Sequence, residues 1–299
     1  MIGPLAGSEG AFGRVSGSGL KRLPSSVYWA ALTRWGILLE PEAALAPVVH
    51  RLQDDEAARH PVDAWSPTLP TIPDGFPDEV RDGFDLSLQE ASWLRDRMLA
   101  TVDGSLLTWL LAHRPRESGP FWSDPAISDA PGAIGDLVHH ARMFATAMQG
   151  ASLLYNLLLA DDLGRLAVTL HHGLPITGPT RPLGADADAV GLRQWRPDWL
   201  WGWVSGQGVR IPPSTRRFVD GWVTQLGLVS GLPDLSDATA ARAFIRDRER
   251  QHKRSQARIG NRKRLSQWGG SSGAGELQFR WPQVRRILLD IHEGLERDA

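Results

Sequence analysis

Apolar side chains along this chain recur mostly at every third or fourth position, the spacing of one face of an α-helix, and alternating strand patterns are few. The spacing predicts a helix over Ser25 to Ile37, where Val27, Trp29, Ala31, Leu32 and Trp35 follow Pro24, a residue suited to a first turn. Glu42 to Gln53 is a second helical stretch. Pro61 to Asp85 is too dense in Pro, Gly and Asp to sustain either periodicity and reads as a loop. Ser87-Leu88-Gln89-Glu90 has capping-box spacing, in which the Ser hydroxyl and the Glu carboxylate each take one orphan backbone N–H, so a helix should run from there to about Val102. Gly104 ends it. Leu106, Leu107, Leu110 and Leu111 begin another that stops before Pro115, and the chain then reads as loop to Pro131.

The longest helical pattern is Ala133 to Leu163, with Ile134, Leu137, Val138, Ala141, Phe144, Ala145, Met148, Ala151, Ser152, Tyr155 and Leu158 or Leu159 at the expected core positions. Gln149 and Asn156 lie within it and require hydrogen-bond partners if buried. Thr177 to Pro213, with Trp195, Trp199, Trp201 and Trp203 among Gly and Pro, reads as irregular. Helical spacing resumes from Ser214 to Leu228 through Phe218, Trp222 and Leu226. Ser236 or Asp237 is placed to cap a helix reaching about Ile259. Gly260 would end it, and Asn261 would cap a short helix through Trp268. Pro282 to Leu295 closes the chain with Val284, Ile287, Leu288 and Ile291 on one face.

These elements predict an all-α protein: a multi-helix globular domain with a long central helix and a basic C-terminal helical region. The expected organisation is a Gly-rich flexible segment over 1–19, a main helical domain over 20–235 with Pro-rich loops at 61–85, 114–131 and 175–213, and a basic region over 236–299 packed on it. No repeat of 20–50 residues is evident.

Composition narrows the chemistry. With 299 residues the chain can remove roughly three quarters of its unfolded surface from water. It has no cysteine, which excludes disulfides, thiolate nucleophiles and Cys-ligated zinc or iron–sulfur sites, and is most simply matched to a reducing, cytoplasmic setting. The start is broken by glycines, without the apolar stretch of a secretory signal. The most apolar run, Leu153 to Ala160, is interrupted by Tyr155 and Asn156 and is too short to cross a bilayer, so no membrane association is expected.

The formal net charge of −1 conceals an asymmetry, because residues 241–299 hold 14 Arg and Lys against 7 Asp and Glu. Proline is divided likewise: Pro282 alone of 21 falls after residue 240. Arg246, Arg250, Arg254 and Arg258 recur at i+4 with Lys253 between them, and on a continuous helix they would form a cationic stripe that Arg262, Lys263 and Arg264 extend. The guanidinium fork suits phosphate, and each neutralised phosphate adds a salt-sensitive increment of affinity. These eight residues are the candidate nucleic-acid-binding set, and replacing Arg250, Arg254 and Arg258 by Glu is expected to abolish DNA or RNA binding without unfolding the chain. A solvated helix steadied by Glu249 and Lys253 at i,i+4 explains the same residues without a ligand, and 30 Arg against 3 Lys in the whole chain also fits a coding bias.

Other motifs are weaker. Gly269-Gly270-Ser271-Ser272-Gly273 has the form of a nucleophile elbow, with Asp290 and His292 following in order, but no strand pattern precedes it and too little chain follows, so a flexible hinge is expected. Ser18 and Lys21 match S-x-x-K without companion motifs. None of the three lysines has an acidic residue two positions earlier, as the usual nuclease centre requires. His139-His140, Asp161-Asp162 and His171-His172 invite a cation, yet adjacent helical residues point about 100° apart, and no metal or other cofactor is expected. Most tryptophans fall on core faces, with Trp195 to Trp203 the one candidate platform for stacking.

Leu20-Lys21-Arg22-Leu23-Pro24-Ser25-Ser26-Val27-Tyr28-Trp29, Arg34-Trp35-Gly36-Ile37, Gly150-Ala151-Ser152-Leu153-Leu154-Tyr155-Asn156-Leu157, Trp268-Gly269-Gly270 and Arg280-Trp281-Pro282 together resemble a bacterial family known as a domain of unknown function. The resemblance implies no catalytic residues. It does imply a setting among DNA-acting and phage-defence genes, and a longer N-terminus in relatives, so that this chain would be a shortened member. The expected function is a non-catalytic, nucleic-acid-associated component of such a system. Two alternatives stand beside it: a subunit whose cationic helix meets an acidic protein partner, and an enzyme in which His139 or His140 converges with Asp161, Asp162 or His172.

Overall fold

The structure, a computed structural model, describes residues 24–41, 64–71, 85–116, 119–170, 189–228 and 233–297. The predicted helix at Glu42 to Gln53, the Gly-rich start, Ser18, Lys21, His171 and His172 lie outside these residues. Eleven α-helices and no strands occur among the described residues, with a single antiparallel bridge between Leu38 and Trp65, so the fold is all-α. The chain divides into two compact units, one of residues 1–134 and 280–299 and one of residues 135–279. The 236–299 stretch is shared between them.

In the first unit, α1 (Pro24–Arg34) stops three residues earlier than its apolar spacing predicts. Gly36 turns the chain at φ 63°, a conformation that costs glycine little, and its carbonyl receives the Arg97 guanidinium. Ile37 and Leu38 are thereby buried. α2 (Leu88–Thr101) opens on the predicted capping box: Ser87 N–H donates to Glu90 Oε2 at 2.9 Å and Glu90 N–H to Ser87 Oγ at 3.3 Å. α3 (Leu106–Ala112) opens on a second box between Ser105 and Thr108.

The stretch predicted as loop before Pro131 is not fully irregular. Phe121–Ser123 forms a 3-10 turn and Pro125–Ser128 a short helix, α4. Asp124 decides this, since its buried carboxylate accepts from Ala126 N–H at 2.9 Å and Arg116 N–H at 2.8 Å. The closing helix, named α11 below, spans Trp281–Glu296 and makes the most extensive helix–helix contact of the described residues, along α2. Gly294 permits it, because a Cβ there would stand 2.7 Å from Ala91 Cβ.

The second unit is built around α5 (Gly132–Leu170), seven residues longer at its end than predicted. Met143, Ala147, Ala151, Leu154 and Leu158 form its most buried stripe, so Phe144, Met148 and Tyr155, placed at the centre of the core by spacing alone, flank it instead. By length and composition Gly132–Gly164 could cross a membrane, but half of its most apolar window is buried inside the protein, as in a core helix.

The tryptophan-rich stretch predicted as irregular contains two helices, α6 (Ala189–Gln194) and α7 (Asp198–Gly206). Gly202 and Gly206 disfavour a helix by roughly 1 kcal/mol each. Burying Leu192, Trp195, Leu200 and Trp201 in the core outweighs that. α8 (Pro213–Gly227) adds Val219, Trp222, Val223 and Leu226, and the Trp222 indole N–H reaches Ala147 O at 2.7 Å. α9 (Thr239–Lys253) and α10 (Arg262–Leu265) complete the unit.

Candidate nucleic-acid interface

The stripe predicted on one helix through Ile259 is broken. α9 ends at Lys253, and Arg254 takes φ 48°, ψ −120°, a region that non-glycine residues rarely adopt. A 3-10 turn, Arg254–Gln256, follows, then an extended Ala257. Arg246 and Arg250 therefore lie on α9, Lys253 and Arg254 at its end, Arg258 on the return loop, and Arg262, Lys263 and Arg264 on α10.

Glu249 causes the reversal. Its side chain is only 3% exposed. One oxygen accepts from Tyr155 Oη at 2.5 Å and from Arg258 N–H at 2.9 Å, the other from Ile259 N–H at 2.9 Å, and Lys253 Nζ stands 3.5 Å away. Burial by itself would raise this carboxyl. The bond from Tyr155, the two amides and the Lys253 charge outweigh it, and Glu249 lies below its usual range. The Tyr155 hydroxyl is moved up, by burial first and then by its bond to Glu249. Thus a residue that a solvated-helix reading places in water as half of an ion pair is the anchor of the segment. Its position one turn from Ile245 on the apolar face was the available signal.

The return loop and α9 are each fastened to α5 at one more point. Asp162 Oδ2 accepts from Gly260 N–H at 3.1 Å, and Asp161 pairs with Arg242. The glycine-rich loop that follows is docked and not the hinge expected of it. Asn156 Oδ1 accepts from Ser272 N–H at 2.7 Å and its amide donates to Ser272 O at 3.0 Å; Ser152 and Gln149 donate to Gly273 O and Ala274 O. Arg258 spends its guanidinium on Ser272 Oγ at 3.0 Å. Ser271, the nominal elbow nucleophile, is exposed on this loop, and its order-matched partners Asp290 and His292 are engaged with Arg286 at 2.8 Å and with Leu110 O at 2.9 Å.

Of the eight predicted contact residues, two are consumed internally: Arg258, and Lys253, whose ammonium also donates to Tyr155 Oη at 3.0 Å. Arg250 faces Asp247 at 3.2 Å, with both side chains more than 60% exposed. The side chains of Arg246, Arg254, Arg262, Lys263 and Arg264 have no hydrogen bond or ion pair among the described residues. Residues 246–264 hold nine Arg and Lys against Asp247 and the buried Glu249, and the 135–279 unit as a whole has 18 against 12 acids, net +6.

Among the described residues, His140 and the Asp161-Asp162 pair are engaged separately. His140 accepts the Trp195 indole N–H at 2.8 Å and stacks on Trp199 at 4.4 Å, while Asp161 and Asp162 hold Arg242 and Gly260. Among the described residues no group of three or more His, Asp or Glu could hold a metal ion. The tryptophan platform is half realised, with Trp195 and Trp201 in the core and Trp199 and Trp203 about 40% exposed.

A family model matches residues 5–294. The chain belongs to DUF6361, a family of unknown function. Neither a curated protein nor a solved structure matches it. For this DUF6361 member, any functional reading therefore has to rest on the residues themselves.

Proposed function

We propose that this DUF6361 protein is a non-catalytic nucleic-acid-binding component of a bacterial DNA-related system, the phage-defence setting being the one its family resemblance implies. The observation that carries the reading is the set of five cations, Arg246, Arg254, Arg262, Lys263 and Arg264, left without internal partners on a segment whose one buried acid, Glu249, is itself consumed. Unpaired guanidiniums on a positively charged unit supply the electrostatic footprint that phosphate backbones recognise. Glu249 and Asp162 hold α9 and the return loop in a fixed relation, so the cations are presented on an ordered surface.

The test is fluorescence anisotropy with labelled single-stranded and duplex DNA and RNA over a salt series. Arg258 must be left intact, because its side chain holds Ser272. The informative variant is Arg250→Glu, Arg254→Glu, Arg262→Glu. Binding is expected in the micromolar range or tighter. The variant should lose at least about 100-fold in affinity, and its salt slope should fall by about 3 if each arginine neutralises one phosphate. Unchanged affinity in a folded variant refutes the assignment, and absence of wild-type binding at low salt redirects the surface to an acidic protein partner.

A further inference from the structure

α8 and α9 enclose an open groove of about 300 Å³ whose lining includes Arg217 and Phe218 from α8 and Phe244, Asp247, Arg248 and Gln251 from α9. That volume is at the small end of ligand sites. Its aromatic floor is arranged in series. Phe218 stacks with Phe244 at 5.7 Å and 17°, Phe244 with Trp222 at 6.3 Å and 26°, and the Arg248 guanidinium covers Phe218 at 4.9 Å. Gly221 lets the floor sit low, since a Cβ there would meet the Phe244 ring at 2.9 Å. Trp222 is fully buried, so the pile is anchored in the core, while Phe218 and Phe244 are only half-buried.

We infer that this groove takes one unpaired base, with its phosphate, from a single-stranded nucleic acid. Each wall has a part in that. The face of a base is a flat apolar surface that stacks on aromatic rings or on a guanidinium plane, and the Arg248 guanidinium, held flat by the Phe218 ring beneath it, ends the pile with such a plane. Arg217 and Arg248 supply charge for the phosphate. Asp247 and Gln251 provide an acceptor and an amide for the hydrogen-bonding edge of the base, which is available only when the base is unpaired. The groove draws Arg248 from the same basic helix, α9, that carries Arg246 and Arg250, although those two project from a different face of it. A duplex keeps its bases stacked internally and gains nothing from the rings. The inference rests on the nucleic-acid reading above and narrows it to single strands.

The experiment compares wild type with Phe218→Leu, which keeps the apolar volume and removes the ring, using a labelled oligothymidine and a duplex of equal length. Stacking on an aromatic ring contributes about 1–3 kcal/mol per base, so single-strand affinity should fall roughly 5-fold or more while duplex affinity stays unchanged. A second measurement needs no variant. Irradiating wild type with a 5-bromouracil-substituted oligonucleotide should cross-link the peptides carrying Phe218 or Phe244. Wild-type binding that ignores the substitution, with cross-links confined to α10, overturns the groove and leaves the cationic surface standing. No wild-type binding to any nucleic acid overturns both.

Discussion

Removing the Glu249 carboxylate tests the claim that this one side chain turns the basic segment. In Glu249→Ala the Arg258 and Ile259 amides and the Tyr155 hydroxyl lose their acceptor, and Lys253 loses its counter-charge. A hydrogen bond to a charged group contributes about 1.5–3 kcal/mol, but bonds to one acceptor do not add independently. Breaking a buried charged cluster from one side typically destabilises by about 3–5 kcal/mol, and that is the loss expected here. Urea unfolding followed by tryptophan fluorescence reads the global part. Hydrogen exchange at the amides of 258 and 259 reads the local part, where protection should collapse first. The same carboxylate gives a pH signature. Its folded-state pKa lies below the ordinary value of 4.5, so its contribution is complete above that pH and is lost as pH falls through the lower, folded-state value. The Ala variant should lack that acid-sensitive component. Stability within about 1 kcal/mol of wild type, together with unchanged protection at 258 and 259, would refute the anchor.

Two further outcomes follow from the packing. Gly294→Ala should destabilise by about 1–3 kcal/mol in thermal unfolding, because the new methyl meets Ala91 at 2.7 Å, and adding Ala91→Gly should restore part of the loss; additive effects would show that the two helices do not touch there. His140 is held below its ordinary pKa of 6.5 by burial and by neighbouring His139, against Asp136, so the folded protein binds its proton less readily than the unfolded chain. Stability should therefore fall as pH drops below about 6.5 towards the folded-state value, a component that His140→Phe should remove, with proton NMR of the imidazole as the check.

Helices with local signals were legible from sequence alone: the Ser87–Glu90 box, the Asn261 cap, the long run from Ala133 and the apolar face of Pro282 to Leu295. Each depends on residues within one or two turns, where spacing and capping chemistry suffice. The all-α class and the asymmetry of charge followed from the same kind of reading.

Contacts distant in the chain decided the rest. Whether the stretch from 189 to 206 would be helical depended on Trp195 and Trp201 reaching a core that α5 and α8 provide, and Gly and Pro content argued the other way. The cationic stripe was interrupted because Glu249 found Tyr155, 94 positions away, and two backbone amides beyond the helix end. The glycine-rich loop was docked because Asn156, 116 positions earlier, could pair with Ser272 in both directions. A buried polar group must find partners wherever the fold supplies them, and sequence spacing does not say where those partners will be. The residue types for a basic surface were thus determined locally. Which arginines would remain unpartnered, and that α8 and α9 would leave the Phe218–Phe244 groove between them, was decided only by the tertiary structure.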